Sequence, residues 1–98
     1  MGKRKIIVTE NAIQNIAEIS WFIEGKGLLI TAEKYIQNLF RQIEKLSNDT
    51  IIHSLCRDKS RKLLGQKCIN YRKKYTIVFL ETDFEIIVLE IVPSKMLK

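Results

Sequence analysis

The sequence predicts an α+β fold in which a helical hairpin packs on a small, mostly antiparallel sheet, in the order β-α-α-β-β-β. Three observations carry this prediction. An apolar stripe of helical period runs from Ala32 to Leu46. Two β-branched runs near the end, Ile77-Val78-Phe79-Leu80 and Ile86-Ile87-Val88-Leu89, are separated by a short turn. A third such run, Ile6-Ile7-Val8, precedes everything helical. With 98 residues, 46% of them apolar and 29% charged, the chain is read as one domain over residues 1–98 with a single core.

Residues 3–9 read as a strand ending at Thr9, whose hydroxyl suits a helix cap. Ile13, Ile16, Ala17, Ser20 and Trp21 then share one stripe of a helix reaching about Glu24, stopped by Gly25-Lys26-Gly27. In the second helix Thr31 is placed as the cap, and Ala32, Tyr35, Ile36, Leu39, Phe40, Ile43 and Leu46 form the apolar face. Its opposite face is polar, with Glu33, Lys34, Gln37, Arg41, Gln42 and Glu44. Ser47-Asn48-Asp49 supplies the turn residues that end it. Residues 50–60 show no period and are assigned no regular structure, with Ile51, Ile52 and Leu55 tucked under the core. Residues 61–71 read as a strand bulged at Gly65, with Leu63, Leu64, Cys68, Ile69 and Tyr71 as its apolar members. Residues 75–81 and 84–92 are strands joined at Thr82-Asp83, and Pro93, which has no N–H to donate, closes the sheet.

The last two strands are apolar at both parities. Either the chain covers both sheet faces itself, or one apolar face waits for a partner; the second alternative is preferred, because only residues 50–60 and the tail remain as covers.

Charge is the strongest polar signal. Between Arg57 and Lys74, eight Lys and Arg face one acid, Asp58, for a net +7, whereas the other eighty residues hold nine cations and ten acids, net −1. Lysines on strand edges also block aggregation, but charge so gathered attracts an anionic partner. Arg57, Arg61, Lys62, Lys67, Tyr71, Arg72, Lys73, Lys74 and Tyr75 are the candidate anion- or partner-binding residues, the arginines as bidentate forks and the tyrosines as stacking surfaces. Nucleic acid and an acidic protein segment are equally compatible with this set.

Other chemistry is sparse. No Gly-rich phosphate loop, nucleophile elbow or zinc-protease signature occurs. Cys56 and Cys68 with His53 lack the number and spacing of a zinc site, so no metal or cofactor is expected and both thiols are read as reduced. His53 is read as a surface or loop residue, and Glu81, Asp83, Glu85 and Glu90 as solubility and edge-protecting acids. No apolar run approaches the roughly 18 residues that span a bilayer, and no signal peptide is recognised, so a cytoplasmic protein without a membrane partner is the expectation.

The combination of order and landmarks resembles the RelE/ParE superfamily of toxins from type II toxin–antitoxin modules, in its ParE-like, plasmid-stabilisation branch. The resemblance rests on Lys5-Ile6-Ile7-Val8 leading into Ala12, on the segment from Ile30 to Ile36, on the run from Tyr71 to Phe79, and on the closing run from Ile86 to Val92. It implies a toxin held inactive by a cognate antitoxin whose acidic, apolar segment wraps it. ParE-like members poison DNA gyrase; RelE-like members cut mRNA on the ribosome with Lys and Arg plus a Tyr or His. For the RelE-like alternative the catalytic candidates are Arg61, Lys62, Arg72 and Lys95. Where many members end in His and Arg, this chain has Pro93, Ser94 and Lys95, without a proton-transfer residue, which shifts weight from an enzyme toward protein binding. A homodimer and a non-toxic basic binding module are the remaining readings.

Overall fold

A computed structural model of the chain describes residues 4–48 and 53–96. The expectations for Lys3, Asp49, Ile51 and Ile52 lie outside the described residues. The elements are β1 (Lys5–Val8), α1 (Glu10–Glu24), α2 (Leu29–Lys45), α3 (Lys59–Leu63), β2 (Lys67–Tyr71), β3 (Tyr75–Glu81) and β4 (Glu85–Pro93), followed by a 3₁₀ turn at Ser94–Met96. The four strands form one sheet in the order β1-β4-β3-β2, parallel between β1 and β4 and antiparallel elsewhere. The α+β class and the order β-α-α-β-β-β are those expected, with α3 added before β2. Among the described residues no helix is long and apolar enough to cross a membrane.

Thr9 begins α1 as its composition suggests. Its Oγ1 accepts from the Ala12 N–H at 3.2 Å and lies 2.9 Å from the Val88 carbonyl, so one hydroxyl caps the helix and ties it to β4. β4 carries a bulge here: Val78 pairs with Glu90 and Phe79 with Val88, leaving Leu89 unmatched. Asn11 Nδ2 donates to the Leu89 carbonyl at 3.2 Å, and Asn15 Oδ1 accepts from the Ile91 N–H at 3.0 Å. The Leu89 carbonyl at the bulge and the Ile91 N–H, beyond the last β1–β4 pair at Val8 and Val88, are thus met by the first two turns of α1.

The phase of α1 differs from expectation. Ala12, Ile16 and Ile19 are its buried residues, with Ile23 packed against the core, while Ile13 and Trp21 are exposed. Ala12 and Ala32 are both fully buried, and the methyl-sized side chain of Ala12 lets the backbone of α1 approach the sheet closely. α2 begins two residues before the expected cap: Leu28 is the N-cap and makes no side-chain cap bond. Gly27, at φ +77, turns the chain so that helical geometry starts at once.

On the helix side of the sheet, Ile77, Phe79, Ile86 and Val88 pack with Leu39, Ile43 and Leu46. The other face is covered by the chain itself, against the preferred expectation of a partner. Val78 is fully buried there and Thr76 nearly so. The cover is the segment 54–66, read from sequence as an irregular stretch and the start of a bulged strand. It forms α3 because Asp58 caps it, accepting from the Arg61 N–H at 3.2 Å. Gly65, at φ +74, ends it: the Gly65 N–H donates to Lys62 O and the Gln66 N–H to Arg61 O, both at 3.0 Å, the pattern of a Schellman stop. Gly65 is therefore a helix terminator and not a strand bulge.

Thr9→Ala should lower stability by about 1–2 kcal/mol, with Thr9→Ser retaining most of it, as measured by urea unfolding. Equal stability of all three proteins would show that the cap contributes nothing.

Candidate functional site

The basic segment is divided among three places. Its first part lies on the cover of the outer sheet face, where Arg57, Lys59 and Lys62 are exposed. Arg61 points the other way: its Nη2 meets Glu90 Oε2 of β4 at 2.9 Å and its Nη1 meets Asp58 Oδ2 at 3.2 Å. These pairs raise its already high pKa, the Glu90 hydrogen bond foremost, so Arg61 is a permanent cation bolting α3 to the sheet.

Lys67, the first residue of β2, pairs with Glu81 of β3. Glu81 is a meeting point: Arg4 Nη1 stands 3.2 Å from its Oε2, without hydrogen-bond alignment, and His53 Nε2 is 4.0 Å away. His53, expected as a surface or loop residue, does lie in a loop but not at the surface. Its side chain is 6% exposed, with the ring edge-on to Phe79 at 5.2 Å between centroids. Glu81 and Glu90 likewise organise internal cations and are not edge-protecting acids.

The third part is the turn between β2 and β3. Arg72 and Lys73 have φ of 52° and 64°, and the Lys74 N–H donates to Tyr71 O at 3.2 Å. Two successive left-handed residues make a type I′ turn, which favours Asn-Gly; here long basic side chains occupy both positions at a cost of about 1–2 kcal/mol each. The turn is held from beneath. Tyr71 is buried and donates its hydroxyl to the Tyr35 carbonyl at 2.9 Å, and its ring stands edge-on to that of Tyr35 at 5.1 Å. The Arg72 guanidinium lies over both rings, at 5.7 Å from Tyr35 and 5.6 Å from Tyr71. Tyr75 is half-buried, 6.3 Å from Tyr35. Both tyrosines named from sequence thus support the turn from below, and neither is laid open as a stacking platform.

The cysteines require a correction. Cys56 and Cys68 form a disulfide, with Cα atoms 4.8 Å apart, where reduced thiols were expected. The sequence gap of twelve gave no sign of it, because what joins the two is register. Leu55 bridges antiparallel to Lys67, the Cys56 N–H donates to Gln66 O at 3.0 Å, and the Cys68 N–H donates to Ser54 O. Beside the disulfide is a cavity of about 330 Å³ lined by Arg57, Asp58, Asn70, Thr76 and Ser94. Thr76 Oγ1 donates to Asn70 Oδ1 at 3.1 Å and can accept from the Ser94 hydroxyl at 2.9 Å. Arg61, Lys62, Arg72 and Lys95 are not among its lining residues, and Lys95 is exposed on the 3₁₀ turn. The four residues named for RNA cleavage therefore do not converge on this cavity.

A second groove, of about 370 Å³, lies between α2 and β2 and brings Arg41 and Lys45 beside Arg72. The sequence reading placed Arg41 on a polar helix face and gave Lys45 no role. The signal that joins them to the turn is spatial: the Tyr35–Tyr71 contact that sets α2 against β2.

Two outcomes follow. Loss of the disulfide, by Cys56→Ser or by reductant, should cost about 3 kcal/mol for a loop of this size, read from urea unfolding with and without dithiothreitol; identical curves would show that the bond is not formed in solution. Tyr35 is pushed from 10.0 up to about 12, chiefly by burial and then by Tyr71 and Tyr75, with Arg72 acting in the opposite direction. A proton held more tightly in the fold leaves stability intact below pH 10.0 and erodes it as the pH rises toward about 12. Tyr35→Phe should flatten that alkaline decline in a series of thermal melts.

No family model matches the sequence, and no curated protein matches it. Among solved structures, a chain described as "Chromosomal ParDE TA system from P. aeruginosa" superposes with a TM-score of 0.76 at 16% identity, over 93% of this chain and 96% of that one. The chain therefore has a ParE-like fold, as its sequence resemblance implied.

Proposed function

We propose that the chain is the toxin of a type II toxin–antitoxin module, acting in the cytoplasm by binding a cellular target of the DNA gyrase kind and neutralised by a cognate antitoxin. The observation that carries this reading is the apolar surface of the helical hairpin. Trp21 is 61% exposed, Leu29 63% and Ile30 70%, with Ile13, Phe22, Leu28 and Phe40 also open to solvent. Such a concentration of large apolar side chains on one supersecondary unit suits a protein partner. Ile13, Ala17 and Trp21 lie at i, i+4 and i+8, so they make a continuous stripe that an amphipathic segment can follow. Similarity to a chain of a ParDE system supports the same reading.

Expression of the chain alone should arrest bacterial growth, and co-expression of an adjacent reading frame encoding an acidic segment should restore it. Trp21→Asp with Ile30→Asp should weaken capture of that antitoxin at least tenfold, about 1.4 kcal/mol, without changing the circular dichroism spectrum, since both side chains are exposed. Unimpeded growth without the neighbouring frame would overturn the toxin reading. Loss of supercoiling activity in purified gyrase with intact transcripts supports the proposed target; new mRNA ends on induction would replace it with ribonuclease action.

A further inference from the structure

The groove between α2 and β2 has a composition unlike the rest of the surface. Its charged lining residues are Arg41, Lys45 and Arg72, joined by the side-chain amides of Asn38, Gln42 and Asn70, and no acid lines it. None of the three cations forms an ion pair among the described residues, whereas Arg4, Arg61 and Lys67 are all engaged by carboxylates. Arg72 is carried by a turn that holds it and Lys73 in left-handed geometry, and its guanidinium lies over the Tyr35 and Tyr71 rings. Lys73 and Lys74 continue the same positive rim and are exposed. The site thus offers two planar forks, one ammonium and three amides, all able to donate to oxygen anions.

We infer that this groove binds the phosphodiester backbone of a nucleic acid, without regard to base sequence. An acidic peptide is the poorer occupant, because peptide affinity rests on apolar anchors and the groove's one apolar lining residue, Tyr71, is buried. Phosphate contacts need only fixed positive charge and hydrogen-bond donors. Base stacking has no platform, since Tyr71 is buried and Tyr35 and Tyr75 are half-buried beneath Arg72 and one another. The groove is also separate from the apolar surface of the hairpin. At about 100° per residue, Phe40 and Leu29 fall on the side of α2 opposite to Asn38, Gln42 and Lys45, and Ile30, which shares the side of Arg41, lies eleven residues from it, about 16 Å along the axis. Both surfaces can be occupied together, and this inference does not rest on the toxin reading.

Fluorescence anisotropy of the full chain with short duplex DNA and with single-stranded RNA, each of two unrelated sequences, tests it across a salt series. Binding of either polymer, equal for its two sequences, is expected. Arg41→Gln, Lys45→Gln and Arg72→Gln should each weaken it several-fold and reduce the salt slope by about 0.9 on duplex DNA or about 0.7 on single strands. Lys59→Gln, which removes the same charge from the exposed surface of α3, should leave affinity and slope unchanged. The first two substitutions fall on the exposed or half-exposed surface of a long helix, so thermal melting should match that of the parent chain. Absence of binding at low salt, an equal loss with Lys59→Gln, or displacement of the nucleic acid by polyglutamate at matched charge would each overturn the assignment.

Discussion

Everything in this fold answers to one constraint: the middle of β3 must be buried on both faces. Ile77, Val78 and Phe79 are consecutive and all fully buried, although successive strand residues point to opposite sides. The helical hairpin covers one side. For the other, the chain has little left to spend, and it uses the segment 54–66, held by a disulfide at one end, by Arg61–Glu90 across the middle, and by backbone bonds to the start of β2. The sheet's outer face is therefore closed by a piece of chain too short to have a core of its own. Covalent and ionic fasteners replace the apolar burial that a longer segment would provide.

The same constraint explains why the hairpin shows so much apolar surface. Close approach of α1 to the sheet selects a small residue at Ala12, and the larger Ile13 and Trp21, one position round from the core stripe or beyond, are left facing outward. Two apolar stripes about 130° apart share α1, one for the sheet and one for something else. Periodicity alone does not choose between them, which is why the sequence groups Ile13 and Trp21 with Ile16 on one stripe. The structure separates them by the distance at which the backbones can meet.

Where local chemistry dictates an element, the sequence was legible. Thr9 as a cap, the glycines after Glu24, the runs in β3 and β4, and Pro93 at the end of the sheet all act through neighbours a few residues away. α3 was missed although its start and stop were written in Asp58 and Gly65, because five residues are too few to show a period. The disulfide, the burial of His53 and the groove beside Arg72 depend on which strand lies against which, and a register 12 or more residues apart leaves no mark in composition. Of the candidate site, the residues were visible and their grouping was not.

That grouping is set by acids. Glu81 takes Lys67 and draws in Arg4 and His53; Glu90 and Asp58 take Arg61. A cation engaged by a partly buried carboxylate contributes little field outside the protein, since the pair is a dipole whose potential falls off faster than that of a lone charge. The +7 counted along residues 57–74 is therefore not one patch. It resolves into a sparse set on α3 and a dense one at the Arg72–Lys74 turn, and the latter is reinforced by Arg41 and Lys45, which lie outside the segment altogether. The strained turn is what makes the second set compact. Left-handed geometry at two successive long side chains is unfavourable in the free chain, so the fold has to supply the Tyr35–Tyr71 platform that holds it. Charge density at this corner is thus a product of packing, and it would disperse if the aromatic support were removed even with every lysine and arginine in place.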